Sequence, residues 1–106
     1  MNDHKNFYEK CYELVKLVPE GKVTTYGEIA RALDSKAVRA VGTAMAKNPY
    51  LFVVPCHRVV RSDGSIGKYA LGVAKKEELL LQEGLEINNG KIKNFDSYIH
   101  KFNLSS

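Results

Sequence analysis

Cys56, His57 and Arg58 stand side by side in the run Val53-Val54-Pro55-Cys56-His57-Arg58-Val59-Val60. A thiol attacks carbon only as thiolate, and a free thiol is mostly protonated near neutral pH. An adjacent imidazole can take the proton, and cationic neighbours favour the anion. The chemistry offered is nucleophilic attack by sulfur. The plainer description is a small buried hydrophobe, which is what a lone cysteine usually is. Its polar neighbours and the preceding proline set Cys56 apart from that pattern.

The flanking valine pairs favour extended backbone. Pro55 removes a backbone donor, fixes its own φ and biases Val54 towards extended conformation. The expected shape is strand over 51–54, sharp bend at Cys56, strand over 58–61. In a flat strand Cys56 and His57 would point to opposite faces. A bend is therefore needed if they are to cooperate.

The elements that must position these residues are predicted in order. Phe7, Cys11, Leu14, Val15 and Val18 recur at helical spacing over 6–18, which places Cys11 in the core. Pro19-Glu20-Gly21 ends that helix, and residues 22–25 are short and β-prone. Thr25 and Glu28 have the spacing of a capping box for a short helix through Leu33, with Ile29, Ala30 and Leu33 inward. Asp34-Ser35 makes a turn and a second N-cap, and residues 36–47 form the next helix. Two short helices across a tight turn outline a helix-turn-helix. Val38, Val41 and Met45 are expected in the core. Lys36, Arg39, Thr43 and Lys47 lie on the other side, with Ala37, Ala40 and Gly42 projecting little between them. Such a face suits close approach to a nucleic-acid backbone, and equally suits tight packing on another helix.

Beyond the cysteine, Ser62-Asp63-Gly64-Ser65 is a turn, and Gly67 to Gly72 is a glycine-bounded loop. Residues 73–83 are helical, with Val73, Leu79, Leu80 and Leu81 apolar and Gly84 as the stop. An Asn88-Asn89-Gly90 turn and a short amphipathic piece with Phe95, Tyr98, Ile99 and Phe102 complete the chain. The expected class is α/β, mostly α: one domain over 1–106, winged-helix-like with a short β-hairpin.

At 106 residues, 44% hydrophobic and 26% charged, the composition is that of an ordinary globular domain. No apolar run approaches the roughly 18 residues of a membrane span. The start lacks the apolar core of a signal peptide. Cys11 and Cys56 are expected as reduced thiols in an intracellular protein, cytoplasmic or nuclear. No Cys/His cluster has zinc spacing, and no cofactor is expected. The net charge is +4, but residues 36–76 carry eight basic side chains against the single acid Asp63. That is the pattern of a polyanion-binding face, or of a solvated surface with scattered lysines.

Pro55-Cys56-His57-Arg58-Val59 resembles the active-site signature of the O6-alkylguanine-DNA alkyltransferases, also called methylated-DNA–protein-cysteine methyltransferases. The resemblance runs from about Phe7 to Gly84. It implies a helix-turn-helix that binds double-stranded DNA through the minor groove and flips out an O6-alkylguanine, with transfer of the alkyl group to Cys56. It implies that His57 is the base, acting through a water, that Glu83 orients His57, and that Asn48 stabilises the turn holding the site. Tyr26 corresponds to the tyrosine that helps rotate the nucleotide and protonate the leaving guanine. Arg39 corresponds to the arginine inserted into the base stack. Lys36, Ala37, Ala40, Thr43 and Lys47 fall on the DNA-binding helix. Tyr69, Ala70, Leu71 and Val59 fall on the alkyl pocket.

The chain departs from the commonest pattern at Ala70, often serine, and at Leu71, often glycine. Leu71 is expected to narrow the pocket. The N-terminal domain that most members carry has no counterpart here, which implies the catalytic module alone, as a monomer. Two other functions fit parts of the sequence. One is a non-catalytic binder like the alkyltransferase-like proteins, which are short and usually carry tryptophan in place of the cysteine. The other is a helix-turn-helix regulator with an incidental thiol.

Overall fold

The computed structural model describes residues 3–51 and 53–102. Helix α1 (Asp3–Lys16) lays Cys11 and Val15 fully into the core, as their spacing predicts. Tyr12, also on this face, donates its hydroxyl to the Ala44 carbonyl at 2.8 Å. The helix ends two residues before the expected Val18, at the turn that leads into Pro19. Val18 is nonetheless buried, and Leu17 beside it is exposed.

Strand β1 (Thr24–Thr25) leads directly into α2 (Tyr26–Ala32). Thr25 caps α2 by accepting the Glu28 amide at 3.0 Å. The reciprocal half of the expected capping box does not form. The Glu28 carboxylate pairs instead with Arg31 at 2.7 Å, one turn further along the same helix face. Asp34, in the left-handed region at φ 54°, makes the turn to α3 (Val38–Ala46). This helix starts later than expected. Ala37 occupies the cap position, Ser35 Oγ accepts the Ala37 amide at 3.0 Å, and Lys36 and Ala37 lie ahead of the helix.

The core face of α3 is Val41, Ala44 and Met45. Val38, expected inside, is 44% exposed. A helix advances 100° per residue, so Ala44 completes the buried stripe with Val41 and Met45. Val38 lies at the margin of that stripe, on the first turn, where the helix has left the shelter of its neighbours.

The cysteine segment differs from the strand–bend–strand expected. Val53 lies in a turn, Leu51 and Val54 make one isolated bridge, and the expectation for Phe52 lies outside the described residues. Cys56–Arg58 form a single 3₁₀ turn, closed by Arg58 N–H donating to the Pro55 carbonyl at 2.9 Å. Only β2 (Val59–Val60) is strand. It pairs in parallel with β1, Thr24 opposite Val59 and Thr25 opposite Val60. On the other side of the β1 segment, Val23 bridges Ile99 in parallel, with the Val23 amide donating to the Tyr98 carbonyl at 3.0 Å.

Successive strand residues face opposite ways. Val59 therefore enters the core formed with α1, α2 and α3, while Val60 enters a second core with Val23, Ile66, Leu80, Leu85 and Ile92. Each buried valine stabilises the fold by about 1.5–3 kcal/mol. The strand leaving the cysteine is thus gripped from both faces.

Helix α4 (Val73–Gln82) ends in a Schellman motif. The Gly84 amide donates to the Leu81 carbonyl at 3.0 Å and the Leu85 amide to the Leu80 carbonyl at 3.2 Å, with Gly84 at φ +94°. Leu80 is buried as expected, whereas Val73 and Leu81 are exposed. The inward position one turn before Leu80 is taken by Lys76. The hairpin is β3 (Ile87–Asn88) against β4 (Lys91–Ile92), across Asn89-Gly90, both at positive φ. A four-residue helix, α5 (Phe95–Tyr98), precedes the Ile99 bridge, and Phe102 is buried in the first core. The fold is mostly helical with two small sheets, a helix-turn-helix with a short hairpin.

Candidate active site

The 3₁₀ turn places Cys56 and His57 inside the protein, 3% and 4% exposed, at the junction of β2, α3 and α4. Its entry is held by Asn48, buried just after α3. Asn48 Nδ2 donates to the Val54 carbonyl at 3.1 Å, and its Oδ1 accepts the Tyr50 amide at 2.9 Å. One side chain therefore satisfies two backbone groups of the segment that delivers the cysteine. Asn48→Ala leaves both unpaired and is expected to cost about 2 kcal/mol. Urea unfolding of the two proteins measures it, and an unchanged midpoint would remove Asn48 from this role.

Burial pushes the Cys56 thiol up; the Asn48 amide and the Lys76 ammonium pull it back down without cancelling the rise. Cys11 has no such company, and burial raises its thiol to about 11. Of the two thiols, Cys56 alone has side chains beside it that favour the anion, the Asn48 amide and the Lys76 ammonium.

Behind Cys56, His57 Nε2 lies 2.8 Å from Glu83 Oε2. Glu83 is the C-cap of α4, where the helix dipole disfavours a carboxylate. Arg58 compensates. Its Nε and Nη2 donate to Glu83 at 2.9 and 2.8 Å, and its Nη1 donates to the Val18 carbonyl at 2.8 Å. Burial pushes the Glu83 carboxyl up, but Arg58 and His57 outweigh it, and the net shift is downward. Glu83 is thus a carboxylate and an acceptor, so His57 carries its proton on Nε2. Burial, Arg58 and Lys76 together outweigh Glu83 and lower the His57 pKa. The ring is a neutral base at pH 7. Its Nδ1 is buried with no hydrogen-bond partner among the described residues.

The cysteine opens onto a cleft of about 700 Å³. Tyr26, the first residue of α2, and Tyr69 form walls, and Met45 and Ala70 also line it. The Tyr69 ring stands edge-on to His57 at 6.4 Å. Val38, Arg39, Gly42 and Thr43 of α3 bring the helix-turn-helix to the rim, and Arg61 and Lys68 line the cleft as well. Every charged residue lining the cleft is basic.

Several site residues predicted from sequence therefore converge: Cys56 and His57 with Glu83 and Asn48, and Tyr26, Arg39, Thr43, Tyr69 and Ala70 around the cleft. Lys36, Ala37 and Lys47 are exposed next to α3, and Ala40 is half-buried within it. Two pocket assignments are corrected. Leu71 is 50% exposed and does not line the cleft, so it does not narrow it. Val59 turns its side chain fully into the first core. The basic middle of the chain is also less of a surface than its count implied, since Arg58 is committed to Glu83 and Lys76 is fully buried.

Residue patterns missed the burial of Lys76 and the commitment of Arg58 to Glu83. Lys76 sits on the apolar stripe of α4, where a long cationic side chain gives no periodic signal. Only its position four residues before buried Leu80 pointed inward.

The chain matches the family 6-O-methylguanine DNA methyltransferase, DNA binding domain, over residues 6–85. It belongs to that family. It is 53% identical to a methylated-DNA–protein-cysteine methyltransferase of Thermococcus kodakarensis, over 76% of this chain and 45% of that one. It is 45% identical to a bifunctional methyltransferase/endonuclease of Picrophilus torridus, over 87% of this chain and 34% of that protein. The matched region thus spans less than half the length of these curated relatives. Among solved structures it is similar to S. pombe Atl1 in complex with damaged DNA containing O6-carboxymethylguanine, with a TM-score of 0.78 and 39% identity. That match covers 92% of this chain and 96% of Atl1. No helix among the described residues is long and apolar enough to cross a membrane.

Proposed function

We propose that this chain is the catalytic module of a DNA repair protein that transfers the alkyl group of O6-alkylguanine in double-stranded DNA to its own Cys56. The observation that carries the reading is Cys56 at the foot of a cleft rimmed by α3, with the His57–Glu83–Arg58 cluster directly behind it.

His57 Nδ1 takes the thiol proton through a water, while Glu83 fixes the ring and stabilises the imidazolium that forms. The Cys56 Sγ lone pair attacks the alkyl carbon, the bond from that carbon to O6 breaks, and its electron pair stays on the guanine. Tyr26, at the cleft wall, hydrogen-bonds the guanine and assists its protonation. The product is a thioether, and with no second reactive thiol beside it each molecule acts once. The base must leave the duplex to reach Cys56, and on this reading Arg39, which lines the rim of the cleft, fills the stack it vacates. Lys36, Ala37, Ala40, Thr43 and Lys47 form the surface around it that lies against the DNA. Tyr69 and Ala70 enclose the alkyl group. The partner is DNA inside the cell, met by a monomer.

A second reading has its own observation. The likeness to Atl1, seen in complex with damaged DNA containing O6-carboxymethylguanine, extends over nearly the whole of both chains. On this reading the chain binds such lesions without accepting the alkyl group. Cys56 separates the two. After mixing with a duplex containing O6-methylguanine, intact-mass spectrometry should show one added methyl group, mapped to Cys56 and absent in Cys56→Ala. An unmodified protein that still binds the lesion tightly would establish the second reading and end the first.

A further inference from the structure

Lys76 is the largest fully buried side chain among the described residues, and nothing in the transfer proposed above uses it. Its ammonium donates to the Val59 carbonyl at 2.7 Å and to the Lys68 carbonyl at 3.0 Å. The first carbonyl belongs to β2, three residues beyond Cys56. The second belongs to the loop 67–72 that carries Tyr69 and Ala70 over the cleft. A buried charge is costly unless it is paired, and no carboxylate among the described residues makes an ion pair with Lys76.

The ionisable groups facing it are few. From α2, Tyr26 offers the face of its ring, with the ammonium 5.9 Å from the centroid. Cys56 and His57 of the 3₁₀ turn face it, as does Arg61 after β2. Arg61 is a cation, His57 is neutral, and Tyr26 is held protonated by burial. Among the described residues facing it, Cys56 is the one whose ionisation during transfer would supply a negative charge.

We propose that Lys76 is a positioning residue for the transfer: its ammonium latches the loop 67–72 onto β2 and is the counter-ion of the Cys56 thiolate. The two roles share one charge. Burial pulls the Lys76 pKa down to about 8, with Cys56 opposing and Arg61 assisting. Lys76 is thus charged at pH 7 and loses its proton only in mild alkali. Losing it removes both the best donor of the latch and the field that favours thiolate. The inference rests on Cys56 as the acceptor, but its consequences are readable without DNA.

The test is the pH dependence of Cys56 alkylation by iodoacetamide in wild type, Lys76→Met and Lys76→Arg, with thermal melts to establish that each variant is folded. Lys76→Met should shift the low-pH limb of the Cys56 profile, at pH 7–8 where Lys76 is charged, upward by about one unit, with the difference fading as wild-type Lys76 loses its proton. Lys76→Arg, which keeps the charge, should restore most of the shift. A Met profile superimposable on wild type, or equal shifts in both variants, would overturn the proposal.

Hydrogen exchange of the wild-type protein decides the latch even where Lys76→Met does not fold. Protection of the loop amides, corrected for intrinsic rates and referred to β2, should fall by up to about tenfold between pH 7 and 9. Protection that stays level across that interval would overturn it. Failure of methyl transfer from DNA, with these shifts present, would refute the proposed function and leave the Lys76 pairing standing.

Discussion

Glu83→Gln is expected to destabilise the protein by about 3 kcal/mol and to slow alkyl transfer at least about 100-fold. Glu83 is the common acceptor of two cation-capable side chains, Arg58 at 2.8 Å and His57 at 2.8 Å, and its side chain is only 12% exposed. Glutamine keeps the shape but loses the charge, and its amide presents donors to donors. Arg58 is left part-buried with the Val18 carbonyl as its remaining acceptor. Such a cation is costly because its hydration has already been surrendered. His57 loses both the lock on its tautomer and the charge that stabilises its protonated form, so Cys56 ionises less readily. His57→Ala removes the base itself. The double variant should be little worse than either single one in transfer rate, since the pair acts as a unit.

Stability and pH are linked through the same carboxylate. Its folded pKa lies below its unfolded value, so the stabilisation is fully present above the unfolded value of about 4.3. It is lost as pH falls through the lower folded pKa. The gap between wild type and Glu83→Gln should therefore be widest at pH 6–7 and shrink below about pH 4. Urea midpoints at these pH values measure it. A gap that is flat with pH, together with transfer slowed less than about threefold, would sink this role for Glu83.

Arg39→Ala should slow repair of O6-methylguanine in a duplex by about 30-fold or more, while barely changing the reaction with free O6-benzylguanine. Arg39 is exposed on the first turn of α3 and lines the rim of the cleft. The Thr43 hydroxyl donates to the Arg39 carbonyl at 3.1 Å and steadies that turn. Unstacking a base costs a few kcal/mol, and a side chain that fills the gap recovers about 2 kcal/mol of it. A free base needs no such help. The readout is the ratio of the two rate losses. Equal losses would assign Arg39 to the pocket itself, and no loss on the duplex would leave it a peripheral phosphate contact.

Much of this site was legible because its signals are local. Cys56 and His57 are adjacent, Pro55 marks the turn that presents them, and Gly84 marks where α4 must stop. Those features fix Glu83 at a helix end without any knowledge of packing. The helix-turn-helix was legible from Thr25, the Asp34-Ser35 turn and the apolar stripe of Val41 and Met45. The failures came where local rules compete with tertiary ones. Glu28 has the spacing of a capping box, but Arg31 on the same face offers an opposite charge, which is a stronger partner than a backbone amide. Val38 has helical periodicity, but periodicity does not tell how far a neighbouring helix reaches to cover it. The valine pairs favour extended backbone, yet Asn48 captures the Val54 carbonyl and the 3₁₀ turn captures Arg58. Only Val59 and Val60, which find Thr24 and Thr25 across the sheet, remain strand.

The sequence by itself determined the order and kinds of most elements, the thiol with its neighbouring imidazole, and the helix with basic residues beside them. Propensity, capping residues and spacing act over a few positions and survive in any context. What only the tertiary structure decided is charge and reach. Arg58 turns from a surface cation into the partner of Glu83. Lys76 turns from one lysine among many into a buried ammonium between Val59 and Lys68. Leu71 swings outward and leaves the cleft open. These outcomes depend on which groups are brought within a few ångströms across the chain and on how much water remains between them. Desolvation and Coulomb interaction scale with that environment rather than with residue type, and no pattern along the chain records it.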